Sequence, residues 1–350
     1  MLIFGAIIIG LVINYLTGGL AFNSLLCAFA GLFLIMPSLL KLKFSDFKDV
    51  IKYKNILGVN LLLNFIIIPI VFYIFGYLFF SDIYYIKYAF LLLGLLSSGG
   101  LVLSWVMKNE GNTKLAFMLF MINFLFFIIL FFPLNSFFQN EAVKSKELIN
   151  SLTMVSQFAN GVKPVNTDFV CVFNTIKLPS CLSGLGVLGS NASPFIAFFS
   201  IILFPFIISR FVLLSDKLEK IISSKIKYIS SISTFFIISY IFSLKQIRGI
   251  FDFDINLIIK MFSVLLLVYI IIYLISFFIY KFIFNTKEGI SLFWVSSTRF
   301  LTLGLVFSFI YSSIFGYEFL LVFAISYFIQ IILSQIFSKL IITSNKAINN

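Results

Sequence analysis

Apolar runs of about 20 residues recur along nearly the whole chain. Each is long enough to cross a ~30 Å hydrocarbon core. Inside that core a helix satisfies its own backbone polar groups, so the runs predict transmembrane helices. Composition agrees: 61% of the 350 residues are hydrophobic and 11% charged, against roughly 25% charged in soluble domains. The net charge of +12 would suggest nucleic acid in a soluble protein. Here the lysines sit in short loops between apolar runs and act as orientation signals, so the expected partner is the lipid bilayer and no nucleic acid.

The chain has no His, which removes the commonest general base, metal ligand and pH switch. Cys27, Cys171 and Cys181 have no metal-ligand spacing; the last two share one polar loop and could pair as a disulfide or stay free. The start, MLIFGAIII, has no basic n-region or small-residue cleavage site and reads as a first transmembrane helix. No catalytic residue, metal site or enzymatic activity is expected.

Ten spans emerge, at about 2–17, 24–40, 56–80, 88–107, 115–134, 193–213, 228–244, 255–280, 289–315 and 318–338. Lysines crowd the even-numbered connections and the tail, with five between residues 41 and 54 alone. Odd connections hold only Lys87, Lys245 and Arg248 among the short ones. The positive-inside rule then places both termini in the cytoplasm, in a multi-pass protein of the cytoplasmic (inner) membrane. The 2–3 connection interleaves Leu42, Phe44, Phe47, Val50 and Ile51 with lysines and fits a short interfacial helix. Residues 184–189 form a G-x-G-x-x-G, but no strand precedes it and no soluble βαβ unit surrounds it, so it marks no nucleotide site.

The long connection 135–192 divides the chain into two five-helix units, 1–134 and 193–350. Five spans followed by five of opposite orientation is what an inverted repeat requires. Span 4, AFLLLGLLSSGGLVLSWVM, is interrupted by Ser97, Ser98, Gly99 and Gly100. Its counterpart, span 9, carries Ser296, Ser297, Thr298 and Arg299. Paired interrupted spans mark a transporter's binding site, and half-helix N-termini favour an anion. A guanidinium at membrane depth costs several kcal/mol and faces a partner or a wet cavity. The competing readings are an Arg that snorkels to an interface and glycines that only allow close packing. Asn64, Ser104, Asn123 and Gln330 lie near the same depth, as substrate ligands or interhelical hydrogen bonds of ~0.6–2 kcal/mol.

All thirteen Asp and Glu fall in loops or near span ends. A proton-coupled carrier usually needs an intramembrane carboxylate or His, and a sodium site here would be left with amides, hydroxyls and carbonyls. Arg299 is the residue positioned to stand in for a bound cation.

At these residues the chain resembles the bile acid:sodium symporter family and its arsenite-permease relatives. The matching stretches are LIMPSLLKLKFSDFKDVIKYKNILGVNLLLNFIIIPIVFYIF, LLSSGGLVLSWVMKNEGNTKLAFMLFMINFL, SSTRFLTLGLVFSF and ISYFIQIILSQIFSKL. The resemblance implies ten helices in two inverted repeats. It also implies a core of spans 3–5 and 8–10 moving against a panel of spans 1, 2, 6 and 7, with spans 4 and 9 unwound and crossing. The departures are specific. Sodium-coupled members place an acid and a Gln or Asn in span 9, where this chain has Thr298, Arg299 and Phe300, which counts against sodium coupling. Arsenite members carry a Cys in the span-4 break, where this chain has SSGG. The expected function is a secondary transporter of a small organic anion working by alternating access, with no cofactor. The alternatives are a membrane glycosyl-transfer or polysaccharide polymerase enzyme, disfavoured because 135–192 has no Arg and no His, and an arsenite-type exporter.

Overall fold

The computed structural model describes residues 2–20, 50–99, 101–127, 129–130, 254–301 and 317–349, with single positions or short runs at 207, 232, 235–236, 238–240, 242–244, 304 and 308. Among them the fold is helical, and no strand forms; one isolated parallel bridge joins Leu20 to Leu244.

Helix α1 (Leu2–Thr17) ends at Gly18 and Gly19, whose φ values of 74° and 90° lie in the left-handed region that glycine enters without penalty. Helix α2 (Lys54–Phe79) follows a 3-10 turn at Val50–Tyr53. Inside α2, Leu63–Ile67 is a π-helical turn, with Ile68 donating to the Leu63 carbonyl five residues back. Pro69 explains the widening: it has no N–H to give, and its ring crowds the carbonyl of the preceding turn. The turn contains Asn64 and follows Asn60 by one helical turn, and both are fully buried.

Span 4 is two helices, α3 (Tyr84–Leu95) and α4 (Leu101–Lys108). Leu96 turns the chain extended, with φ −61° and ψ 104°. Helix α5 (Thr113–Phe127) starts under Asn112, whose side-chain oxygen accepts from the Leu115 N–H. In the second half, Asp254 caps α6 (Ile255–Phe282) by accepting from Asn256 N. Thr286 caps α7 (Lys287–Ser297) through Gly289 N. Thr298 then breaks span 9 in an extended conformation, φ −96° and ψ 147°. The last helix is α8 (Tyr317–Asn349).

The two halves interlock. Helix α3 packs along α2 and against α8, α6 against α7, α8 and α2, and α7 against α4 and the start of α2. Phe72 of α2 meets Tyr269 of α6 edge-on at 5.7 Å. Among the described residues three helices are long and apolar enough to cross a membrane. Helix α8 is the central one, with 72% of its apolar window buried, against 33% for α2 and 39% for α6. The exposed faces of the outer helices are apolar too: Ile66, Ile70, Tyr73 and Tyr77 on α2, Leu267, Leu274 and Phe278 on α6. Faces of that kind suit hydrocarbon and not water. At the edge of this core α1 lies against residues 239–244. A Cβ on Gly10 would stand 2.5 Å from the Ser239 carbonyl oxygen, and Asn14 Nδ2 donates to the Leu244 carbonyl at 2.6 Å.

Expected spans 1, 3, 4, 5, 8, 9 and 10 all carry helix, with α3 starting four residues before its anticipated start and α8 running eleven past its anticipated end. Span 2, nearly all of span 6 and about half of span 7 lie outside the described residues, as do Gly100, Cys27, Cys171, Cys181 and the connection 135–192.

Candidate functional site

The two breaks touch. Phe300 N–H donates to the Ser97 carbonyl at 2.7 Å, which joins an extended strip of span 9 to an extended strip of span 4. Gly99 makes the approach possible: a Cβ there would fall 2.4 Å from the Phe300 ring and 3.1 Å from its Cα. Real Cβ contacts do not come that close, so the glycine here provides space. The Phe300 ring turns away and meets Phe120 and Phe124 of α5 at 6.0 and 6.4 Å, both edge-on.

Arg299 sits beside this contact with 2% of its surface exposed. Its guanidinium is surrounded by oxygens. Nη1 donates to the carbonyls of Gly94 (3.4 Å) and Leu96 (3.2 Å). Nη2 donates to Asn64 Oδ1 at 2.8 Å and to the Ser296 carbonyl. Gly94 and Leu96 close α3, and Ser296 belongs to the last turn of α7. The last carbonyls of a helix lack intrahelical partners and carry the negative end of its dipole. A donor-only cation is therefore held between two helix C-termini. Among the described residues Arg299 is the one buried charged side chain, so dipoles, without a carboxylate, balance it. Burying an unpaired ion is expensive, and four acceptors aimed at one guanidinium offset that cost.

A second set of bonds fixes the main chain under Arg299. The Gln330 side chain of α8 accepts from Arg299 N–H at 2.6 Å and donates from Nε2 to the Arg299 carbonyl at 3.2 Å. This amide does for the broken helix what a neighbouring strand would do, satisfying a donor and an acceptor that the break leaves buried.

A third set orients Asn64. Arg299 can only donate, so Asn64 must present Oδ1 to it, and its Nδ2 points the other way, to the Asn60 carbonyl and Asn60 Oδ1, both at 3.0 Å. Asn60 is thereby committed as well: its Nδ2 donates to Asn123 Oδ1 at 2.5 Å, and Asn123 Nδ2 returns a bond at 3.2 Å. The orientation of three buried amides on α2 and α5 follows from one guanidinium on span 9. Gly94 lets α2 close on this group, since a Cβ there would lie 2.7 Å from the Pro69 Cα.

The remaining site candidates spread around the same point. Ser97 and Ser98 are buried, and among the described residues the Ser98 and Ser297 hydroxyls and Arg299 Nε have no hydrogen-bond partner. Ser296 Oγ donates to Ser276 of α6 at 3.1 Å and to carbonyls of its own helix. Thr298 Oγ1 donates to the Trp294 carbonyl at 2.7 Å, tying off the end of α7. Ser297 is buried in the last turn of α7. Ser104, half-buried on α4, is not among the groups that hold the guanidinium. Gly100 falls outside the described residues.

Sequence reasoning missed several neighbours. Asn60 was one; the signal was an Asn-x-x-x-Asn pair within an apolar span, at the spacing that puts both on one helix face. Tyr273 was another: its hydroxyl lies 2.7 Å from Ser334 Oγ and donates to the Gln330 carbonyl at 3.4 Å, joining α6 to α8 beneath the clamp. Trp105 of α4 and Trp294 of α7 stack at 5.2 Å with an interplanar angle of 14°. Beyond that stack, Asn112 N donates to the Lys287 carbonyl and Ser291 Oγ to the Asn112 carbonyl, at 3.1 and 2.8 Å.

Broken, touching helices inside a bundle of membrane-spanning ones are the form of a carrier's binding centre. No curated protein matches the chain. A family model does match, over a stretch that contains Asn60, Asn64, the Ser97–Gly99 break and Asn123 and stops short of Arg299 and Gln330. Members of that family are transporters, and the chain is a multi-pass membrane protein. The match agrees with the resemblance read from the sequence: residues 29–161 of this chain are similar to the sodium bile acid symporter family.

Proposed function

We propose that the chain is a secondary carrier for a small organic anion, working by alternating access, with the two helix breaks and Arg299 as its site. One observation carries the reading: a fixed, buried guanidinium stands where the breaks of spans 4 and 9 meet, and no carboxylate among the described residues is buried beside it. A permanent positive charge without a counter-anion favours an anionic ligand in its vicinity. Among the described residues Arg299 Nε and the Ser98 and Ser297 hydroxyls have no hydrogen-bond partner, and they are the donors available to it. The direct contacts of the substrate in this reading are Arg299 Nε with Ser97, Ser98, Gly99 and Ser297 around the junction. Asn64, Asn123 and Gln330 hold the guanidinium and its backbone in place.

The proposed frame is ten spans in two inverted repeats, 1–134 and 193–350, with both termini in the cytoplasm. Spans 3–5 and 8–10 form the moving core. Spans 1, 2, 6 and 7 form the panel, and the contact of α1 with residues 239–244 favours that grouping. The test is uptake into liposomes containing the purified protein, with radiolabelled taurocholate and a short aliphatic carboxylate as probes, in sodium-free buffer. Uptake of at least one probe should exceed that of empty liposomes and be abolished by Arg299→Ala. Transport by Arg299→Ala at the wild-type rate would sink the assignment.

A further inference from the structure

The family's description names sodium as a coupling ion, and the residues present do not fit one. The oxygens that converge where the two broken spans meet are Gly94 O, Leu96 O, Ser296 O and Asn64 Oδ1, from three separate helices. Main-chain and amide oxygens of this kind are the ligands a hard cation takes. Here all four already accept from the Arg299 guanidinium, and the positive charge they would gather is supplied by the chain.

We infer that Arg299 is a tethered cation that permanently fills an oxygen cradle suited to an alkali ion, so that this carrier closes its core without binding sodium. The inference rests on the proposed function for the site's part in transport, but occupancy of the cradle is measurable without any cargo. Three structural points support it. The cradle oxygens include carbonyls at two helix C-termini, where the dipoles attract a positive charge of any kind. Asn64 is held with its oxygen toward the guanidinium by bonds to Asn60, an orientation that would serve a metal ion equally. Gln330 fixes the Arg299 main chain independently of its side chain, so shortening the side chain empties the cradle and leaves the backbone clamp in place.

The experiment compares the melting temperature of detergent-purified protein in sodium, potassium and choline chloride at equal ionic strength, with binding of radioactive sodium to the same samples. Wild type should melt at one temperature in all three salts and bind no sodium above the level of a protein-free blank. Arg299→Ala should melt lower in choline, recover by a few degrees in sodium or potassium, and recover likewise with millimolar guanidinium, which restores the missing group. Adding Asn64→Leu to Arg299→Ala removes one cradle oxygen and should weaken the cation response several-fold. Arg299→Lys keeps a tethered charge and should stay indifferent to sodium. Sodium binding by wild type overturns the inference, and so does a folded Arg299→Ala that responds to none of the three cations. Should Arg299→Ala not be recovered folded, wild type and Arg299→Lys decide: a sodium-dependent rise in either overturns it. Failure of both uptake probes in liposomes would remove the transport reading and leave these melting results standing.

Discussion

Gln330→Met isolates the clamp on the broken helix. Methionine has nearly the volume of glutamine, so the packing around α8 is preserved while both hydrogen bonds to Arg299 are lost. The substitution strands one buried N–H, now bonded at 2.6 Å, and removes one of the bonds to the Arg299 carbonyl, now at 3.2 Å. The carbonyl also accepts from Leu301 N at 2.9 Å, so its loss is partial. An orphaned buried backbone group costs about 1–3 kcal/mol. The N–H contributes that in full and the carbonyl a fraction of it, giving roughly 1.5–4 kcal/mol in all. At ~2 °C per kcal/mol for a large domain the melting temperature should fall by about 3–8 °C. The assay is built in: the chain has two tryptophans, and they are Trp105 and Trp294, stacked on either side of the breaks. Thermal unfolding followed by their fluorescence, or by the coupled near-ultraviolet circular dichroism of the pair, reports on the site itself. Gln330→Ala should cost more than Gln330→Met because it adds a cavity. If Gln330→Met melts with wild type, the Gln330 amide does not hold the break, and the account of the site's backbone fails.

Other consequences are as open to measurement. Gly99→Ala drives a methyl into Phe300 and should cost about 1–3 kcal/mol by overpacking, with loss of tryptophan coupling as the breaks separate. Asn60→Leu and Asn123→Leu remove the two sides of one reciprocal amide pair. A double-mutant cycle on their melting curves should return a coupling of ~0.6–2 kcal/mol, and a value near zero would show the pair to be idle. Uptake should be level across about pH 6–8 and insensitive to protonophores, because the chain has no His, the one side chain that ordinarily titrates there. A rate that follows the pH gradient would point to a proton-coupled group instead.

The breaks, the charge and the main polar contacts were legible in the sequence because each is a local anomaly. SSGG is a run of weak helix formers inside an apolar span, and an arginine inside an apolar run has no ordinary reason to be there. Asn64 and Gln330 were legible for the same reason, although their roles were open between ligand and structural bond, and the structure ties both to Arg299. The direction of the dipoles was read differently. The sequence argument matched the breaks to helix N-termini and an anion, whereas the guanidinium lies at the C-termini of α3 and α7, because a group that only donates collects on carbonyls. Asn60, the π turn and the tyrosine–serine bonds of α6 and α8 were not legible. Pro69 alone predicts a kink or a turn, and that it takes the form of a π turn beside two buried asparagines shows only in the folded helix. The tryptophan stack joins residues 189 positions apart, a pairing that no periodicity encodes.

The separation of Arg299 from its partners along the chain has a consequence for biosynthesis. Gly94 lies 205 residues before Arg299, and Asn64 lies 235 before it. At about 5–20 residues per second, the first half waits roughly 10–40 s in the bilayer before the guanidinium is made. During that time the carbonyls that end α3 and the oriented amides of α2 lack the donor they will finally hold. The nascent first half is therefore incomplete in a chemically defined way, needing a hydrogen-bond donor at one spot. A chaperone, a water-filled insertion site or a lipid headgroup able to lend one would protect it until translation reaches span 9. Truncated chains that stop before Arg299 should accordingly be degraded faster than chains that stop just after α8.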